Sequence, residues 1–173
     1  KTFDDFNIQA IKLENSYNAA RTATEEMIAV IEDLLFMSEN KQKVDVVSSL
    51  GLVKSRLKEI DDKYFASKYM EALKAHAAAV EGVIRTERAK VSVLDFAKKL
   101  AGTGASKNEA SPETVQVLKA LKETAQQMLE QPKYNFFRIG YYVYKNPETD
   151  MSQMPAEQAN EIARKFMDDD FML

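Results

Sequence analysis

Residues 3–38 read FDDFNIQAIKLENSYNAARTATEEMIAVIEDLLFMS and contain neither Pro nor Gly. Within them Phe3, Phe6, Ala10, Leu13, Tyr17, Ala20, Thr24, Met27, Ile31 and Leu34 recur at alternating steps of three and four. Residues so spaced share one face of an α-helix, and a stripe sustained over this many turns is a heptad seam that seeks another helix. The spacing predicts one long helix from Thr2 to Ser38. Ile28, Val30, Leu35 and Phe36 widen the apolar face near its far end, so that end is expected deep in a bundle.

The same alternation continues outward from this helix. After the polar break Glu39-Asn-Lys-Gln42, the residues Val46, Leu50, Val53, Leu57, Ile60 and Tyr64 predict a second helix. Gly51 lies inside it and costs about 1 kcal/mol against Ala, which a close helix contact would offset. Asp61-Asp62-Lys63 fits either a turn or a kink. A third helix is expected over 65–100, thinned in its middle by Ala72, Ala75, Ala77, Ala78, Ala79 and Gly82. Residues 101–111 are small and polar and read as a mobile loop. Ser111-Pro112-Glu113 opens a fourth helix, with Ser as N-cap and Pro at the first helical position, ending near Gln131 ahead of Pro132. Tyr134, Phe136, Phe137, Tyr141, Tyr142 and Tyr144 put six aromatics in a segment whose composition suits a strand. A lone strand among helices leaves its backbone groups unpaired, so a helix is preferred there. A short last helix is expected from Ser152, carrying Ala159, Ile162, Ala163, Phe166 and Met167 inward. The fold class expected is all-α, an antiparallel bundle of four to five helices built on the long heptad-patterned first helix. It forms one domain over 1–173, with the aromatic segment and the short last helix over 132–173.

Composition narrows the chemistry. The 173 residues include one His and no Cys, with 24 basic and 27 acidic side chains and a net charge of −3. Disulfides, thiolate metal sites and cysteine nucleophiles are excluded. No field draws in nucleic acid, and no stretch approaches the ~20 apolar residues of a membrane span. Charge is uneven: residues 1–40 carry net −5, 41–101 net +5, 102–146 net +2 and 147–173 net −5. Acidic end segments lying against a basic middle would help set helix order.

His76 would have to serve any Ser/His/Asp triad, yet it sits in Lys74-Ala75-His76-Ala77 beside an apolar stripe, and no G-x-S-x-G elbow exists. It reads as a histidine at the core edge with local hydrogen-bond partners. One His cannot build a ferritin-like di-iron site, and C-x-x-C-H is absent, so no metal and no cofactor is expected. The eight Met read as packing rather than haem ligands. Gly102-Thr-Gly-Ala-Ser-Lys107 lacks the spacing of a phosphate loop and follows a helix. Arg138-Ile-Gly-Tyr-Tyr-Val-Tyr-Lys145 interleaves basic and aromatic residues, but the segment departs from the RNA-binding pattern, and no nucleic-acid partner is expected.

In style, the long charged helices resemble those of bacterial extracytoplasmic sensor bundles. The short last helix departs from that style, and no site residue follows from it. The chain opens on Lys1 rather than Met, the beginning expected of a processed, extracytoplasmic protein. With little to catalyse with, the expected function is non-enzymatic, a protein–protein interaction module whose partner is another protein or a second copy in a homodimer. Tyr134, Phe137, Arg138, Tyr141, Tyr142 and Tyr144 are the candidate contact residues, with the Phe171-Met172-Leu173 tail beside them. The alternative is a small-ligand-binding bundle with a pocket near the thin third helix, drawn from Tyr17, Tyr69, His76 and Gly82.

Overall fold

The computed structural model describes residues 3–60, 64–101, 107–150 and 154–171. Among these the chain is helical throughout: α1 (Phe3–Glu39), α2 (Val46–Glu59), α3 (Ser67–Ala101), α4 (Pro112–Leu129), α5 (Phe136–Lys145) and α6 (Ala156–Phe171). Among the described residues the only β-type pairing is an isolated bridge between Val44 and Asn108. Among the described residues the helices number six rather than four or five, the aromatic segment forming a separate helix as preferred. Residues 61–63 and 102–106, and the expected start of the last helix at Ser152, lie outside the described residues. So do Met172 and Leu173.

α1 is the spine. Ala10, Tyr17, Ala20, Thr24, Met27, Ile31 and Leu34 are buried along it, and Leu13 is half-buried. The helix packs against α2, α4 and α5, while α3 packs against α2 and α4 and α6 against α5. Its 37 residues span about 55 Å at 1.5 Å per residue. Neither α2 nor α4, at 14 and 18 residues, covers that length. α5 takes the N-terminal part, where the Cβ that Gly140 lacks would stand 3.5 Å from Ala10 Cβ and 3.3 Å from Asn7 Oδ1. α2 doubles back along the C-terminal part, so that Arg56 reaches Glu26 at 2.7 Å. α1 thus buries most of its face from Ala10 to Leu34 within one chain.

The helix ends explain where the chain turns. Lys41 adopts a left-handed φ of 53°, Gln42 N donates to Met37 O at 2.9 Å and Lys41 N to Ser38 O at 3.1 Å. This is a Schellman stop, which satisfies the last carbonyls of α1 and makes the reversal tight. Asp45 then caps α2, accepting from Ser48 N at 3.1 Å and Ser48 Oγ at 2.8 Å. The C-terminus of α4 is closed by a side chain from another helix. Arg21 donates to Leu129 O at 3.0 Å, Gln131 O at 3.2 Å and Tyr64 Oη at 2.8 Å, and the Tyr64 hydroxyl donates on to Pro132 O at 2.7 Å. A guanidinium there meets the negative end of the α4 dipole.

Two expectations are corrected. Gly51 has no close helix contact: it is exposed, and nothing lies within 4 Å of where its Cβ would stand. Gly51→Ala should therefore stabilise the fold by up to about 1 kcal/mol, read as a raised urea midpoint. The far end of α1 is deep on one face only, where Ile28, Ile31 and Leu34 are buried. Phe36 is 60% exposed and Val30 and Leu35 are only half-buried, because α2 and α4 meet one face of α1 and leave its flanks open.

The described part of the expected mobile loop, residues 107–111, is held by a buried carboxylate. Glu87 of α3 is fully buried. Its Oε1 accepts from Ser111 N at 2.9 Å and Thr114 Oγ1 at 2.8 Å, and its Oε2 from Asn108 Nδ2 at 2.6 Å. Lys90 Nζ lies 3.5 Å from Oε2 and donates to Glu109 O and Ser111 Oγ, each at 3.0 Å. Burial by itself would raise the Glu87 pKa, but the hydrogen bonds outweigh it and hold the carboxyl below its ordinary value. The carboxylate also faces the N-terminus of α4, where the helix dipole favours negative charge. Through Asn108, whose backbone exchanges hydrogen bonds with Val44 at 3.0 and 3.1 Å, the latch ties α3, α4 and the α1–α2 turn at one end of the molecule.

Candidate interaction surface

α5 is positioned by polar contacts at its start and small residues on its inner face. The Asn135 side chain caps it by accepting from Arg138 N at 3.2 Å. Asn160 of α6 holds the approach, its Oδ1 accepting from Asn135 N at 3.1 Å and its Nδ2 donating to Lys133 O at 2.6 Å. Ile139, Gly140 and Val143 are buried. The other side carries large apolar groups into solvent: Phe137 is 60% exposed, and Phe136 and Tyr144 are also exposed. Ile8 and Ile11 are exposed on α1, the helix that α5 packs against. Contiguous exposed apolar patches mark contact sites, whereas single exposed apolar residues are ordinary.

The aromatic residues singled out in sequence separate into two sets. Phe137 and Tyr144 stand outside. Tyr141 and Tyr142 are half-buried against Phe166 of α6, with ring centroids 6.0 and 5.4 Å away. Arg138 lines a shallow cleft with Pro132, Glu157, Asn160, Glu161 and Arg164. Tyr134 belongs to the core, edge-on to Tyr17 at 4.8 Å, while Tyr17 in turn lies 5.5 Å from Tyr64. Among the described residues the buried Tyr134 hydroxyl has no hydrogen-bond partner, and burial pushes its pKa well up. An unpaired buried hydroxyl is costly. Tyr134→Phe should leave the fold as stable or stabilise it by about 1 kcal/mol, in thermal or urea melts.

The four residues considered for a pocket each have surroundings of their own. Tyr17 is in the aromatic core cluster. The Tyr69 hydroxyl meets the Gln131 side chain at 3.0 Å. His76 is half-buried with Nε2 2.8 Å from Thr124 Oγ1, and burial lowers its pKa toward the neutral ring. Gly82 is half-buried with open space where a Cβ would stand. Along α3, Gly82 lies about 20 Å from Tyr69.

Two further surface grooves lie at the end of the molecule where α1 stops. One of about 570 Å³ runs between α1 and α4, lined by Glu32, Asp33, Leu35, Phe36, Ser38, Glu39, Val115, Lys119 and Lys122. Another of about 240 Å³ runs between α1 and α2, with Val30, Leu34, Met37, Val44 and Leu52 on its walls. Sequence reading missed these surfaces and the exposed Val93 and Phe96 of α3. The available sign was bulky apolar residues off the seam register, such as Ile8, Ile11 and Val93.

Reactive groupings are sparse. Among the described residues no three His, Asp or Glu side chains gather as a metal-binding group. Lys90 and Ser111 have the composition of a Ser–Lys dyad. The ammonium, however, donates to Ser111 and to a carbonyl and faces Glu87, an arrangement that holds the proton rather than removing one from the serine. No described helix is long and apolar enough to cross a membrane. Set against known proteins, the chain matches no family model, no curated protein and no solved structure, so its own geometry carries the functional reading.

Proposed function

We propose that this protein is a non-enzymatic interaction module: an antiparallel, heptad-packed bundle that presents α5 to another protein. The observation that carries the reading is Phe137, 60% exposed on a ten-residue helix whose opposite face is buried through Ile139 and Val143. Aromatic side chains displayed on a rigid, capped helix lose little conformational entropy when a partner covers them, which is why such groups dominate interface energetics. Phe136, Phe137 and Tyr144 are the contact groups of this reading. Tyr141, Tyr142 and Arg138 support them from the half-buried flank, and Tyr134 anchors the segment to the core. The small-ligand reading has less support, since Tyr69 and Gly82 are separated by several helical turns.

A photo-crosslinking amino acid at Phe137, expressed in the source cell, should give one discrete adduct with a different protein. Adding Tyr144→Asp should remove the adduct while the melting temperature stays within a few degrees. A folded protein that yields no adduct at position 137, or one only with its own copy, would overturn the reading.

A further inference from the structure

α3 outruns the bundle that holds it. The Glu87 and Lys90 contacts to residues 108–114 fix the level at which α4 starts and the α1–α2 turn passes. α3 continues to Ala101, eleven residues or about 16 Å beyond Lys90. Val93 and Phe96 on this extension are 70% and 67% exposed, and Ala97 is exposed beside them. Val93, Phe96 and Ala97 fall at i, i+3 and i+4, the register of a buried helical stripe. An apolar stripe of that register on a projecting helix end has no cover within its own chain among the described residues.

The α1/α4 groove at the same end of the molecule has the matching form. Leu35, Phe36 and Val115 give it an apolar floor and edge. Glu32, Asp33 and Glu39 stand on the α1 wall and Lys119 and Lys122 on the α4 wall, none of them in an ion pair with another described residue. The wall of α1 is purely acidic over 32–39, while the extension over 91–101 carries Lys98 and Lys99 against Asp95. The groove spans eight residues along each helix, 32–39 and 115–122, a rise of about 11 Å, a length the extension can fill.

We propose that two copies of this chain pair head to head about a two-fold axis, the α3 extension of each lying in the α1/α4 groove of the other. Knob and groove are at one end of the same molecule, so a single two-fold operation satisfies both at once and closes the assembly. Each helix-in-groove contact then needs to bury only about half of the roughly 1,000 Å² that a specific interface requires. This surface is distinct from α5, so its failure leaves the α5 reading standing and the reverse also holds.

The absence of native cysteine makes the test clean. Phe96→Cys and Phe36→Cys proteins, mixed and oxidised, should form a heterodimeric disulfide, while Phe96→Cys mixed with Ile8→Cys should not. In sedimentation velocity the wild type should be a dimer at micromolar concentration. Phe96→Asp, at an exposed site and with an unchanged helical spectrum, should raise the dissociation constant about a hundredfold, since the group is lost twice per dimer. A wild type that stays monomeric at 100-micromolar order contradicts the proposal. So does a dimer that forms the 8–96 disulfide instead of the 36–96 one, or one that Phe96→Asp leaves intact.

Discussion

Glu87→Ala should destabilise the protein by about 3–5 kcal/mol, seen as a large fall in the urea midpoint with little change in slope. The substitution leaves Asn108 Nδ2, Ser111 N and Thr114 Oγ1 without their acceptor in a buried site, each an orphaned donor worth about 1–3 kcal/mol in the limit. It also frees the segment that ties α3 to the start of α4. Glu87→Gln fits the space but turns an amide N–H₂ toward donors, so it too should be destabilising. The pH dependence separates charge from shape. The folded-state pKa of Glu87 lies below its ordinary 4.5, so its contribution is complete above that value and is lost as pH falls through the folded pKa. The stability gap between wild type and Glu87→Gln should be widest at neutral pH and narrow as pH drops below 4.5. A gap that is constant from neutral to acid would show that the carboxylate charge carries nothing.

Tyr17→Ala should cost a comparable amount, about 3–5 kcal/mol. The side chain is almost wholly buried where α1 meets the α2–α3 connection and the approach to α5, with Tyr64 and Tyr134 stacked at its edges. Removing it empties a large volume whose walls are two other rings, and these cannot collapse without pulling α5 off α1. The accompanying signature is local: near-ultraviolet tyrosine dichroism should fall, and α5 should become the first segment to open in native-state hydrogen exchange. Loss of stability without loosening of α5 would argue that the aromatic cluster does not hold that helix.

What the sequence disclosed follows from what periodicity can encode. The α1 stripe from Ala10 to Leu34, the Ser111-Pro112 start of α4 and the Pro132 boundary are local patterns with local physics, and each appears in the structure near its expected place. The aromatic segment was ambiguous because Tyr and Phe suit either a strand or a helix face. Gly140 against Ala10 settles it as a helix, through a tertiary contact that sequence spacing does not show. Glu87 was invisible for the same reason. One Glu among many surface carboxylates becomes a buried latch only when the chain brings Asn108, Ser111 and Thr114 around it. Phe36 misled because apolar width was read as depth, whereas neighbouring helices left that flank open. Of the candidate contact residues, Phe137 and Tyr144 were legible as unusual composition. The exposed Ile8 and Phe96 were not, since exposure is a property of what packs nearby.

Hydrogen exchange read segment by segment, in protein dilute enough to be monomeric, tests most directly whether a sealed helical interior carries an apolar exterior. Amides of α1 over 20–34 and of α4 over 118–128 should exchange slowest, at rates set by global unfolding, while α3 over 91–101 exchanges many-fold faster. Uniformly fast exchange through α1 and α4, or an α3 end as protected as the middle of α1, would contradict this architecture.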